Sequence, residues 1–271
     1  MRKYGQFALV ITIVLIIVFF ISGCNAVLVE ADEEIEPGEL ETRQYDFDEF
    51  IMVDIGSAFS YEIRKADNRS ISITAGSNLF KYISVTESGQ ELDIDISIPG
   101  ITLWGNKSYR RPRVIITMPE LARLDSSGAT DGTVTGFRSD GELDISMSGA
   151  SKVDLGDISV VTATVDMSGA SQVTGYIQTD NIELEVNTAS KVRLEGSTNY
   201  LTVEASGASK LELQDFISQN ADITLRDASR GVFNLKETLD ARVSGASTLE
   251  YTGEPVIGIL DVTGASTFRK K

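Results

Sequence analysis

The tetrapeptide Ser-Gly-Ala-Ser, or a near copy, recurs eight times, with its alanine at Ala129, Ala150, Ala170, Ala189, Ala208, Ala228, Ala246 and Ala265. The spacings are 21, 20, 19, 19, 20, 18 and 19 residues. A unit so short cannot bury its own apolar face, so neighbouring units must share one core. The flanks specify what each unit contains. Seven, five and three residues before the alanine stand Leu143, Ile145 and Met147, then Ala163, Val165 and Met167, then Ile182, Leu184 and Val186. The same positions continue as Leu201, Val203, Ala205; Ala221, Ile223, Leu225; and Leu239, Ala241, Val243. Every second residue is apolar, the period of a strand with one buried face. The alternation resumes after the corner, as in Val153 and Leu155 or Leu211 and Leu213, and ends in polar turns such as Gly156-Asp157 and Gly196-Ser197. No stretch in the repeats has a helical period, which excludes repeats that carry a helix. The expected fold is all-β: a parallel β-helix, or solenoid, with coils of about twenty residues. A sandwich of antiparallel hairpins uses similar strands and is the competing arrangement; the nearly constant corner spacing favours the coil.

Gly precedes the alanine in six of the eight copies, and Thr188 and Asp227 replace it in the others. A left-handed backbone suits Gly and tolerates Asp, but strains a β-branched Thr, so close packing between coils is an alternative reason for the Gly. A hydroxyl follows the alanine every time: Thr130, Ser151, Ser171, Ser190, Ser209, Ser229, Ser247 and Ser266. Stacked coils place such hydroxyls about 4.8 Å apart, a ladder able to bond backbone or its neighbours. As nucleophiles each would need a base, and the next residue, Lys152 or Lys210 for example, faces the other side of its strand. Ala150, Ser151, Ala170, Ser171, Ala208, Ser209, Ala246 and Ser247 are therefore read as structural corners, with no catalytic residue among them.

The chain holds 24 Lys plus Arg against 40 Asp plus Glu, no His and one Cys. These counts exclude an intrachain disulfide, Ser-His-Asp and Cys-His catalysis, and His-ligated zinc, and no cofactor is implied. A net charge of -16 disfavours nucleic acid, whose phosphates are held by positive surface. Outward positions ahead of the corners form an acidic file, Asp144, Asp166, Glu183, Glu185, Glu204, Asp222, Asp240 and Asp261, while Lys152, Lys191, Lys210 and Arg230 form a basic file behind them. Adjacent files of opposite sign would screen one another across a solvated surface. Binding of calcium or of a basic partner is the sharper alternative, although no Asp-rich calcium loop is present.

The N-terminal 24 residues have the layout of an export signal. Arg2 and Lys3 precede an apolar run from Phe7 to Ile21, and Ile21-Ser22-Gly23-Cys24 resembles the lipobox of bacterial lipoproteins. That resemblance implies cleavage before Cys24 and its lipidation, which would anchor the chain to a membrane. Fifteen helical residues reach roughly 22 Å, short of the ~30 Å hydrocarbon core, so an uncleaved spanning anchor is the weaker alternative. Residues 25–44 carry seven acidic side chains against Arg43 and are expected to form an extended tether. Residues 45–121 are read as early, irregular coils or a small β cap, and residues 122–271 as the regular repeats, all in one continuous body.

One stretch departs from the general acidity. Trp104, Lys107, Tyr109, Arg110, Arg111 and Arg113 lie within ten residues, and aromatic faces beside guanidinium groups can bind a sugar ring, an anionic glycan or a phospholipid headgroup. The alternative is a loop whose cations neutralise nearby carboxylates.

The order of features, from the Phe50 to Ile63 strands through Leu92-Asp93-Ile94 and Val114 to Pro119 to the Ser-Gly-Ala-Ser coils, resembles the DUF2807 family, the putative auto-transporter adhesin head or GIN domain. The resemblance covers about residues 47–268. It implies a right-handed β-helix on the bacterial envelope with an adhesin-like role, and supplies no catalytic residues. The expected function is therefore a lipid-anchored, noncatalytic envelope module, exposed outside the cytoplasm, that binds a glycan or another surface component. Two other classes remain. The last coil presents an edge on which another molecule could stack, with Phe268-Arg269-Lys270-Lys271 as a charged guard against it. A polysaccharide-acting enzyme would need a distinct carboxylate pair, and the acids here are too evenly spread to nominate one.

Overall fold

The computed structural model describes residues 38–98 and 110–271. The signal segment with Cys24, most of the tether, and Trp104, Lys107 and Tyr109 lie outside the described residues. The regular part begins with β8 (Arg123–Ser126), β9 (Asp131–Thr135) and β10 (Glu142–Met147) and continues through five long strands, β11 (Lys152–Met167), β12 (Gln172–Val186), β13 (Lys191–Ala205), β14 (Lys210–Leu225) and β15 (Arg230–Val243). It closes with β16 (Thr248–Thr252), β17 (Val256–Val262) and β18 (Thr267–Lys270). Every pairing among these strands is parallel, from Leu143 opposite Ala163 to Leu249 opposite Phe268. Stacked parallel coils of about twenty residues make a β-solenoid, and hairpins are excluded in the repeats. Leu184, Val192, Leu194, Leu211 and Phe216, each fully shielded from water, form one core along the axis together with the other inward side chains.

Two details differ from the sequence expectation. The polar turns at Gly156-Asp157 and Gly196-Ser197 do not end strands; β11 and β13 run on through them. Asp157 and Gly196 take φ of 56° and 118°, so the chain bends while its hydrogen bonds to adjacent coils continue, with local register shifts between Leu155 and Ile158 and between Arg193 and Glu195. The second difference is β1 (Leu40–Tyr45), which occupies the end of the expected tether. It is an edge strand with no buried residue, so no apolar alternation announces it. Its support is lateral: Thr42 and Thr74 hydroxyls lie 2.7 Å apart, and the Arg43 guanidinium sits 4.1 Å from the centre of the Phe80 ring.

The first coils are not stacked in chain order. β2 (Met52–Ile55) and β3 (Ser60–Lys65) form one coil, and β6 (Glu91–Ile96) and β7 (Arg113–Met118) form another. β2 lies between β6 and β8, while β3 lies between β7 and β9, so the earlier coil is enclosed by two later ones. Outside β6 and β7 the strand direction reverses. β5 (Ile83–Ser88) pairs antiparallel with β6, and β4 (Ser70–Gly76) pairs antiparallel with both β7 and β1. A one-turn 3-10 helix, Ser77–Leu79, buries Leu79 across this end.

Candidate functional site

The corners explain the repeated tetrapeptide. Ser57, Gly128, Gly149, Gly169, Thr188, Gly207, Asp227, Gly245 and Gly264 all have positive φ, between 59° and 77°. From Ala129 onward, the alanine after each donates its N–H to the carbonyl of the corresponding residue one coil earlier, as in Ala150 to Gly128 at 2.7 Å. Both proposed reasons for glycine hold together. A Cβ at Gly149 or Gly169 would sit 2.3 Å from that same carbonyl oxygen, in a conformation that L residues avoid. Where a side chain is present the stack gives way. The bonds below Thr188 and Asp227 are 3.0 and 2.9 Å, against 2.6–2.8 Å at the six other corners.

Four of the corner serines hold their turns from inside, while the buried Ser190, Ser247 and Ser266 hydroxyls have no hydrogen-bond partner among the described residues. Ser151, Ser171, Ser209 and Ser229 donate to the carbonyl three residues back, at 2.7–2.8 Å. Ser151, Ser171, Ser209 and Ser247 are no more than 1% exposed, and their companions Ala150, Ala170, Ala208 and Ala246 cap the same turns. A substrate cannot reach hydroxyls shielded to that degree. At the first such corner a buried chain replaces the simple bond: the Tyr61 hydroxyl donates to Ser126 at 3.1 Å, and Ser126 lies 2.6 Å from the Thr130 hydroxyl. Burial raises the Tyr61 phenol far above its ordinary range.

Ser57 is a corner that the tetrapeptide search misses. Val53 and Ile55 precede Ala58 by five and three residues, and Tyr61 and Ile63 follow by three and five, so the flanking arithmetic identifies it although the tetrapeptide is absent. Its hydroxyl lies 2.5 Å from Asp95 Oδ1 and 2.9 Å from the Ile96 carbonyl.

Of the described part of the basic loop, two arginines face carboxylates of neighbouring coils. Arg113 reaches Glu62 on β3 at 3.0 Å, and Arg111 lies 3.8 Å from Asp131 on β9. Hydrogen bonds from Arg64, and after it from Arg113, hold the Glu62 carboxyl below its ordinary range. Arg110 is exposed. Both ion pairs are solvated and contribute little to stability, so the guanidinium groups can exchange a carboxylate for another anion.

An acidic recess lies ahead of the corners. Asp54, Asp125, Ser146, Asp166, Glu185 and Asn187 line a recess of about 400 Å³. The lateral register continues the acidic file backward, because Asp54 stands opposite both Asp93 and Asp125. Burial, then repulsion from Asp125 and Asp93, pushes the Asp54 carboxyl up to about 6. Repulsion from Asp166, ahead of burial, raises the Glu185 carboxyl. The signal for Asp54, Asp93 and Asp125 was in the sequence as an acid between apolar neighbours, but their adjacency follows from the enclosed coil. No group of three such side chains among the described residues is placed to hold a metal ion. Two members of the basic file, Lys191 and Lys210, pair with Glu212. A second recess of about 330 Å³ is lined by Asp140, Gln178, Asp180, Asn199, Gln219 and neighbouring hydroxyls.

The same fold occurs in solved structures. A putative adhesin from Parabacteroides distasonis ATCC 8503 superposes with a TM-score of 0.79 at 14% identity, covering 87% of this chain and 98% of that one. A putative adhesin from Parabacteroides merdae ATCC 43184 gives 0.76 at 16% identity, covering 86% and 97%. A putative lipid binding protein from Parabacteroides distasonis ATCC 8503 gives 0.70 at 17% identity, with the same coverages of 86% and 97%. Comparison with curated proteins finds no match. With residues 49–255 matching the family described as "Putative auto-transporter adhesin, head GIN domain", the chain belongs to the DUF2807 family.

Proposed function

We propose that the protein is a noncatalytic, adhesin-like module of the bacterial envelope, anchored by a lipid on Cys24 and held off the membrane by the acidic residues that follow. The observation that carries this reading is the form of the exposed surface. Ladders of outward side chains run along the solenoid, the recesses around Asp54 and Asp180 are open, and Ser151, Ser171, Ser209 and Ser247 are buried in corners. Such a surface suits contact over many residues better than turnover at one. Family membership and the adhesin names of the solved relatives agree with a role at the cell surface. Among the described residues no helix is long and apolar enough to cross a membrane.

The basic loop is the first ligand site to test. Arg110, Arg111 and Arg113 supply cations, and Trp104, Lys107 and Tyr109 precede them in the chain. An anionic glycan or lipid headgroup would compete with Glu62 and Asp131 for these groups. The second recess supports a neutral sugar as the other reading, since its amides and carboxylates match sugar hydroxyls. A glycan and lipid array with the full chain, beside a variant with Arg110, Arg111 and Arg113 changed to Gln, separates the two. Loss of anionic ligands assigns the loop, and equal binding by both chains removes it. Incorporation of a labelled fatty acid that disappears in Cys24→Ala tests the anchor; label retained in that variant would sink it.

A further inference from the structure

We propose that the C-terminal end of the solenoid pairs with the same end of a second copy, across a two-fold axis that sets β17 of each chain against β18 of the other. All seven residues of β17 are exposed. Among them Val256 is 72% exposed and Ile259 49%, while Ile257, Leu260 and Val262, which continue the core columns of Leu239, Ala241 and Val243, are 38–46% exposed. Phe268 continues the column of Leu249 on the other sheet. Among the described residues β17 pairs only with β15, and β18 only with β16, so each leaves a row of backbone donors and acceptors without a described partner strand. Apolar core positions beside two open edges are what strand addition uses.

Charge selects the occupant. The chain carries -16 overall, so copies repel through most of their surface. Residues 248–271 are an exception, with Glu250, Glu254 and Asp261 against Arg269, Lys270 and Lys271. The basic guard expected from the sequence is largely spent within the coil: Arg269 pairs with Glu250, and Lys270 with Glu254. The separation of signs is also self-complementary. Asp261 lies on β17 and Lys271, which is in no ion pair among the described residues, lies beside β18, so a two-fold rotation faces each Asp261 with the other copy's Lys271. Facing ends wind in opposite senses, which makes the new strand pairs antiparallel and closes the assembly at two copies. Head-to-tail growth is disfavoured, because the opposite end presents antiparallel edges, β1 and β5, over a core already covered.

The test is the mass of the full chain in mild detergent, by light scattering from about 1 to 100 μM, with two variants. Asp261→Lys and Lys270→Glu/Lys271→Glu each place like charges on both new strand pairs, so each alone should dimerise about tenfold more weakly. Mixed together they should form a heterodimer, since both pairs then join opposite charges. Val256→Lys/Ile259→Lys should be monomeric with an unchanged β circular dichroism spectrum. A wild-type chain that stays monomeric overturns the proposal and leaves the edge to a different chain. Dimers that persist in all variants, as co-residence in a micelle would give, overturn it too, and a ladder of higher masses rules out two-fold closure.

Discussion

At one end of the solenoid the last parallel strands, β6 and β7, are flanked by antiparallel β5, β4 and β1, and Leu79 closes the core at 1% exposure. At the other end β17 continues the parallel stack and stops, with Leu260 at 46% exposure in a core column. A parallel coil always offers its next neighbour the same apolar columns and the same unpaired backbone, so repetition alone cannot finish it. Finishing requires a break in the pattern. Here the break is a reversed strand direction with polar outer residues, such as the exposed Arg43 and Gln44 of β1. The C-terminal coils keep the pattern to their last strand, and so keep a surface able to accept another chain.

Truncations at the two ends give the largest contrast. Leu79→Ala should cost about 3 kcal/mol by leaving a cavity at the closed end, while Leu260→Ala should cost less than about 1 kcal/mol in the isolated chain. Urea denaturation followed by circular dichroism measures both, and equal losses would break the distinction between a covered and an open end. Next is Gly132→Ala, in the coil of β9, where an added Cβ would lie 2.0 Å from the Tyr61 ring. A loss of about 2 kcal/mol is expected, with Tyr61 fluorescence reporting the displaced ring.

The acidic recess gives a pH test confined to the early coils. The Asp54 carboxyl is raised to about 6, so the native chain retains a proton that the unfolded chain releases near pH 4. Its contribution therefore becomes less favourable as pH rises from about 4 to about 6. Asp54→Asn should remove that decline and add about 1 kcal/mol at pH 7, after allowance for solvent screening of a half-buried group. Stability curves of variant and wild type that stay parallel across this window would show that Asp54 is not under strain. The smallest effect belongs to the regular coils. Thr188→Gly should gain about 0.5 kcal/mol by relieving a β-branched residue at φ 69°, read as a small rise in Tm. A fall would mean that the Thr188 side chain stabilises its corner.

Much of this was legible in the residues. The two-residue alternation around Ala150, Ala170 and Ala208 fixed which side chains enter the core, and Leu143, Val165, Leu184 and Val203 are all buried there. β1 was not legible, because an edge strand held by Thr42, Arg43 and its neighbour β4 needs no apolar face. The recess around Asp54 was legible only in part. Its acids are visible one by one, yet Asp54 and Asp125 are 71 positions apart and become lateral neighbours through the enclosed coil.

The periodic placement of apolar, small and hydroxyl residues determined by itself that this chain winds into stacked coils, since each unit is too short to shield its own face. Tertiary structure alone decided the order in which the first coils stack, the carboxylates that thereby crowd together, and which end is covered. Those outcomes depend on contacts between segments distant in the chain, and a local period carries no information about which distant segment lies alongside.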